Sequence, residues 1–153
     1  MDIEYDFEIG AFLARPLFAH LATASQDGPR ESPVWFLWED GALWLIGNQS
    51  DSFPKRLRAE PRCALGIVDL DLEKGTLRHV GIRGLATIEP LEPNRLVRLL
   101  QRYLGNDERT WSPEFKARVI DRLDLMIRVH PVSVVARDQS YFSSSSPKRL
   151  RPQ

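Results

Sequence analysis

Across the first half of this chain the apolar positions fall into short runs punctuated by turn residues, and a helical period takes over only after Pro93. Asp27-Gly28 and Asp40-Gly41 each sit between apolar runs, a strong local hairpin signal because glycine tolerates the positive φ such turns need. Residues 21–59 therefore predict three antiparallel strands in a meander, then a polar loop and a short basic helix. The second strand carries Pro33, Val34, Trp35, Phe36, Leu37 and Trp38, and the third Leu43, Trp44, Leu45 and Ile46, both apolar on alternating faces. Strands of that kind must be covered on two sides.

The flanking segments read as support. Asp6 is placed to cap a short helix with Phe7, Ile9, Phe12 and Leu13 as its apolar stripe, ended by Pro16. Residues 18–24 start the first strand, and Ser52 is an N-cap candidate for a helix with Pro54 in its first turn. Residues 62–69 predict a fourth strand, and residues 77–88 a long one with Gly81 and Gly84 inside it, where glycine marks a bulge, a bend or a close approach. Leu96, Leu99, Leu100 and Tyr103 then share a helical face opposite Arg95, Arg98 and Arg102, and Ser112-Pro113 opens a second helix ending near Arg122. Residues 125–129 and 132–136 supply the last strand material, broken at His130-Pro131, which places the break at an edge or a bulge. Residues 1–142 form one domain, and the serine-rich, basic tail at 143–153 has too little apolar content to fold. The expected class is mainly β: a β-barrel of about six antiparallel strands with peripheral helices. Closing the sheet gives the two-sided strands a meaning, one face filling the barrel and the other packing on a helix or a second subunit, so a homodimer is expected.

Composition narrows the function. The 153 residues carry 21 Lys plus Arg and 21 Asp plus Glu, so the global basic footprint of a nucleic-acid binder is missing. Cys63 is the one cysteine and lies in an apolar run, which reads as a small buried hydrophobe in a cytoplasmic protein. The N-terminus is acidic where a signal peptide would be basic, and no apolar run reaches the length of a membrane span. His20, His79 and His130 are scattered without metal-ligand spacing, so no metal site is expected. No Gly-x-Ser-x-Gly element is present, and Gly81-Ile82-Arg83-Gly84 lies mid-strand rather than at a helix start, unlike a dinucleotide fingerprint.

Ser50, Ser52, Lys55 and Arg56 surround the start of the basic helix. Hydroxyls, helix N-terminal N–H groups and nearby cations suit a phosphate dianion; the same residues also describe a capped helix with a solvated basic face. Trp38 and Trp44 read as core, Trp35 as core or cofactor wall, and Trp111 as a hydrophobic staple or a contact to a partner's site.

Leu21-Ala22-Thr23, Asp27-Gly28, Pro33-Val34-Trp35-Phe36 and Lys55 ahead of Pro61-Arg62 together resemble the pyridoxamine 5′-phosphate oxidase-like family of FMN-binding split β-barrels, over residues 12–135. The resemblance implies a homodimer with a flavin site at the subunit interface, and FMN, or in a related branch F420, as cofactor. It implies that Pro33, Val34, Trp35, Phe36 and Leu37 lie along the flavin ring, that Ile46, Gly47 and Asn48 face the ribityl chain, and that Ser50, Ser52, Lys55 and Arg56 hold the phosphate. No catalytic side chain is implied, because hydride passes between stacked rings. Gly47 and Leu57 depart from the family pattern, which has Thr and Asn there. The implied function is an FMN-dependent oxidoreductase acting on a small molecule; the alternatives are an F420-dependent reductase and a non-enzymatic flavin- or haem-binding module.

Overall fold

The structure is a computed structural model that describes residues 1–141; the tail at 143–153 lies outside the described residues. These residues form eight strands, β1 (Asp2–Tyr5), β2 (Ala19–Ser25), β3 (Gly28–Val34), β4 (Leu37–Glu39), β5 (Ala42–Gly47), β6 (Arg62–Asp71), β7 (Thr76–Pro90) and β8 (Leu125–Asp138). The helices are α1 (Ile9–Leu13), α2 (Ser52–Ala59), α3 (Pro93–Leu104) and α4 (Pro113–Arg118), with single 3-10 turns at Glu108–Thr110 and Ile120–Arg122. The sheet runs β3-β2-β6-β7-β8-β5-β4, antiparallel throughout, and β1 adds in parallel along β8. The mainly β expectation holds, with peripheral helices and more strands than expected.

One expectation is corrected at the centre of the meander. The apolar run after Pro33 is two strands, because the chain leaves β3 at one edge of the sheet, passes through Trp35-Phe36, and re-enters as β4 at the opposite edge. The hydrogen bonds show why. Phe36 is fully buried, and its N–H donates to the Tyr103 hydroxyl at 3.1 Å instead of to a neighbouring strand. The sheet curls around a core but is not closed by a β3–β4 ladder, so closure does not remove its edges as expected.

Both Asp-Gly turns form. Asp40 and Gly41 take positive φ of 56° and 69°, while at the other turn Gly28 alone does so, at 106°. Inside the curl, Leu21, Leu43, Leu45, Leu65, Ile67, Val80, Ile82, Ile127, Val129 and Val134 make one buried cluster, each large side chain contributing about 1.5–3 kcal/mol. On the other side of β4, β5 and β8, Leu37, Trp44 and Met126 pack under Leu99 of α3. The second covered face of β5 is therefore a helix of the same chain.

The spine of the sheet is the β7–β8 pair, whose register shifts between Arg83 and Gly84. Pro131 lies opposite Gly84 and Ser133 opposite Arg83, leaving Val132 as the extra residue. The break at His130-Pro131 is thus a bulge in a central strand, since β8 is flanked by β7 and β5.

Two N-terminal expectations change. Glu8 rather than Asp6 caps α1, its carboxylate accepting from the N–H groups of Gly10 and Ala11, while Asp6 accepts from the Asp138 N–H at 3.0 Å. Asp51 rather than Ser52 holds the N-cap position of α2, without a side-chain capping bond. At α3, Glu92 caps the first turn, and Ser112 Oγ accepts from the Phe115 N–H at 3.2 Å to start α4 as expected.

The arginine face of α3 is not simply solvated. Arg95 lies 3.6 Å over the Trp44 ring and, with Arg98, donates to Glu39. The Arg98 hydrogen bond holds the Glu39 carboxyl below its ordinary 4.5, with burial opposing and Arg95 assisting. A depressed folded pKa means that this stabilisation is complete above the unfolded value and is lost as pH falls through the folded one. Denaturant unfolding of Glu39→Gln should show lower stability than the parent at about pH 7, with the gap shrinking on acidification below about pH 4.

Candidate functional site

Where β3 ends, Pro33 and Val34 face the end of β5 at Ile46 and Gly47, and the start of α2 at Asp51 and Phe53. Phe18, Trp35, Leu100 of α3, Phe115 and Val119 of the α4 region, Ile120 and Leu123 complete a cavity of about 290 Å³. Its wall is aromatic. Trp35 stacks on Tyr103 with ring centroids 4.5 Å apart and planes 4° apart, and meets Phe115 at 5.7 Å and 41°. Tyr103 is fixed in turn: burial raises its pKa above the ordinary 10, and the protonated hydroxyl donates to Leu17 O at 2.7 Å while accepting from Phe36 N–H. A ring of the chain itself is thus held flat behind Trp35.

Of the twelve residues implied by the resemblance, Pro33, Val34, Trp35, Ile46 and Gly47 line this cavity. Gly47 has a steric reason. A Cβ there would come within 3.3 Å of Phe53 and of Leu125 and 3.5 Å of Pro54, so a side chain at this position would press on Phe53 and Leu125. Phe36 and Leu37 are buried in the core and under α3, away from the cavity.

The phosphate half is not assembled around the cavity. Asn48 Oδ1 accepts from the Ser50 N–H and hydroxyl at 2.8 and 2.6 Å, and Asn48 Nδ2 donates to Arg122 O. Ser52 and Lys55 are exposed on α2 and line no part of the cavity. Arg56 Nε donates to Thr23 Oγ1 at 2.8 Å and Nη2 to Ser32 Oγ at 3.4 Å, binding α2 to β2 and β3. Leu57 is 2% exposed and anchors the helix to the core. The residue of α2 that faces the cavity is Phe53, and its spacing from Leu57 was the sequence signal for that inward face. The contribution of residues 115–123 carried no such signal.

The remaining candidates are structural. Trp44 packs under α3 and Trp38 packs against the main core; Trp111 is buried and donates its indole N–H to Gly105 O at 3.0 Å. Burial pushes the Cys63 thiol up to about 11, which makes it the inert apolar residue expected. Among the described residues, no group of three or more His, Cys, Asp or Glu could hold a metal ion, and no helix is long and apolar enough to cross a membrane.

Comparison with solved structures extends the fold. The chain is similar to the conserved hypothetical protein Rv2991 from Mycobacterium tuberculosis, with 26% identity over 90% of this chain and 92% of that one, at a TM-score of 0.66. It is similar to an F420 reductase at 27% identity, over 81% of this chain and 93% of the other, with a TM-score of 0.63. The haem storage protein HutZ from Vibrio cholerae, at 14% identity, 88% and 94% coverage and a TM-score of 0.63, shares the fold. No curated protein sequence matches the chain. Residues 6–136 match the family model of pyridoxamine 5′-phosphate oxidase, and the chain belongs to that family.

Proposed function

We propose that this protein holds a flavin-type ring in the cavity between β3, β5 and α4, as an oxidoreductase of the pyridoxamine 5′-phosphate oxidase family. The observation that carries this is the flat aromatic wall of Trp35, backed by Tyr103, in a mostly apolar cavity that Ile46 and Gly47 also line. A planar, largely apolar heterocycle is the ligand such a slot suits. FMN, the cofactor implied by the family resemblance, and F420 share that ring form, and the similarity to an F420 reductase supports the deazaflavin as the second candidate. The lining residues suit the ring and include no cation; the exposed Ser52 and Lys55 stand next to Asp51 and Phe53 at the start of α2.

When bound, such a ring supplies hydride or electron transfer to a small-molecule substrate. Trp35 supplies its stacking surface, Val34 and Ile46 its apolar edge, and Phe115, Val119 and Ile120 shield it from water. None of the three histidines lines the cavity, so a haem-binding module would find no imidazole there. A second copy of the chain is part of the proposal. Its support is the outer face of β2, β6 and β7, where Ala22 pairs with Ala64 and Gly66 with Gly81 beside the exposed Val68 and Leu70. A cytoplasmic setting accords with the lone buried thiol.

Titration of the purified protein with riboflavin, FMN and F420, read by ring absorbance and fluorescence, tests the reading. Saturable quenching by at least one of them is expected, and binding of none would overturn it. Reduction of the bound ring by NAD(P)H would separate an enzyme from a passive binder, and light scattering at micromolar concentration would test the dimer.

A further inference from the structure

We propose that residues 112–121 form a lid over the cavity that opens as a unit, with Phe115 as the gate that must leave Trp35 before a flat ring can stack there; this rests on the flavin reading above. The lid is held at its two ends and not along its length. At one end Trp111 is buried and its indole N–H donates to Gly105 O. At the other, Arg122 O accepts from Asn48 Nδ2, the Asp124 N–H donates to Gly47 O at 3.1 Å, and Asp124 Oδ1 accepts from the Gln49 N–H at 3.0 Å. Between these ends, among the described residues, every hydrogen bond of residues 112–121 stays within residues 112–123, as in the Ser112 cap and the Glu114–Arg118 ion pair. No residue of α4 or of the 3-10 turn after it is fully buried.

Apolar contact with the cavity is therefore what holds the segment down. Phe115 and Ile120 line the cavity, as does Val119, which is still 40% exposed. A segment with so few buried contacts, whose apolar face meets open space rather than a packed core, opens at little cost in free energy. A ring in the cavity gives that face the surface it lacks, and this difference in contact favours the closed state. The gate follows from the geometry at Trp35. Tyr103 covers one face of that ring, with planes 4° apart. Among the described residues Phe115 pairs with Trp35 at 5.7 Å and not with Tyr103, so it approaches away from the covered face. A ligand ring stacked on the other face would lie within about 4.5–7 Å of Trp35, the shell Phe115 already occupies. Tyr103 is fixed by its bonds to Leu17 and Phe36, so Phe115 is the side that gives way.

The test begins with hydrogen–deuterium exchange of the free full chain. Amides of residues 115–121 are expected to exchange together, on the order of tenfold or more faster than those of Leu99 and Leu100 in α3, and to slow severalfold with riboflavin or FMN bound. Stopped-flow ring fluorescence with the same two ligands reads entry. In the parent the observed rate should level off with ligand concentration at the rate of lid opening, since a mere flip of the Phe115 ring is far too fast to limit binding. In Phe115→Ala it should keep rising, with association and dissociation both severalfold faster. Exchange at residues 115–121 as slow as in α3, or a parent rate that never levels off, would overturn the inference while leaving the flavin reading intact. Binding of neither ligand would overturn both.

Discussion

Gly84→Ala is expected to cost about 3 kcal/mol of stability, a large loss for the addition of one methyl group. A Cβ at Gly84 would stand 2.5 Å from the carbonyl oxygen of His130 and 2.8 Å from Val129 Cγ1. The first of these is backbone in the central strand β8, held by ladders to both β7 and β5, so it cannot yield as a flexible side chain would. The bulge at Val132 fixes the local path of β8 and brings that carbonyl against Gly84. Thermal unfolding followed by circular dichroism should show the melting temperature of the variant down by roughly 6–12 °C. Gly81→Ala is the control, because its Cβ would meet only the His79 ring at 3.1 Å, which can move aside. Equal losses at the two glycines would show that strand propensity, not the close approach, is responsible.

Trp35→Ala is expected to weaken binding of the flavin ring by roughly ten- to a hundredfold, through loss of both buried area and the stacked face. The fold should survive, since Trp35 is only half-buried and Tyr103 keeps its own bonds to Leu17 and Phe36. Ring fluorescence titrations of the two proteins would measure the difference. A Trp35→Phe variant restoring most of the affinity would identify the aromatic face itself as the contributor.

The parts of this fold that were legible in the sequence are those set by local chemistry. The Asp-Gly turns, Ser112 as a cap, the core face of α3 and the interruption of β8 at Pro131 all follow from what a few adjacent residues can do. The division of the apolar run at Trp35-Phe36 was not legible, because alternation looks the same in a strand that stays in place and in one that changes edges. What decides it is the Phe36 N–H finding the Tyr103 hydroxyl, 67 residues away. The parallel β1 was missed for a similar reason: its four residues are all exposed and carry no apolar pattern. In the site, Pro33, Val34, Trp35, Ile46 and Gly47 come together on the cavity, while Ser50, Ser52, Lys55 and Arg56 do not line it. Residue types around α2 suggested a basic pocket, but the buried Leu57 and the cavity-facing Phe53 set the rotation of the helix, leaving Lys55 in solvent and turning Arg56 to hydroxyls of β2 and β3.

The place of β8 in the sheet also governs when the protein can fold on the ribosome. It is the last strand among the described residues, yet β1, β5 and β7 all pair with it. A nascent chain that has not reached residue 125 therefore holds β5 and β7 with no partner between them and their core faces uncovered. Non-local pairings of this kind are slow to form because loop closure precedes the reward, and the unpaired edges are open to association meanwhile. Until β8 is made, β1, β5 and β7 lack the strand that joins them.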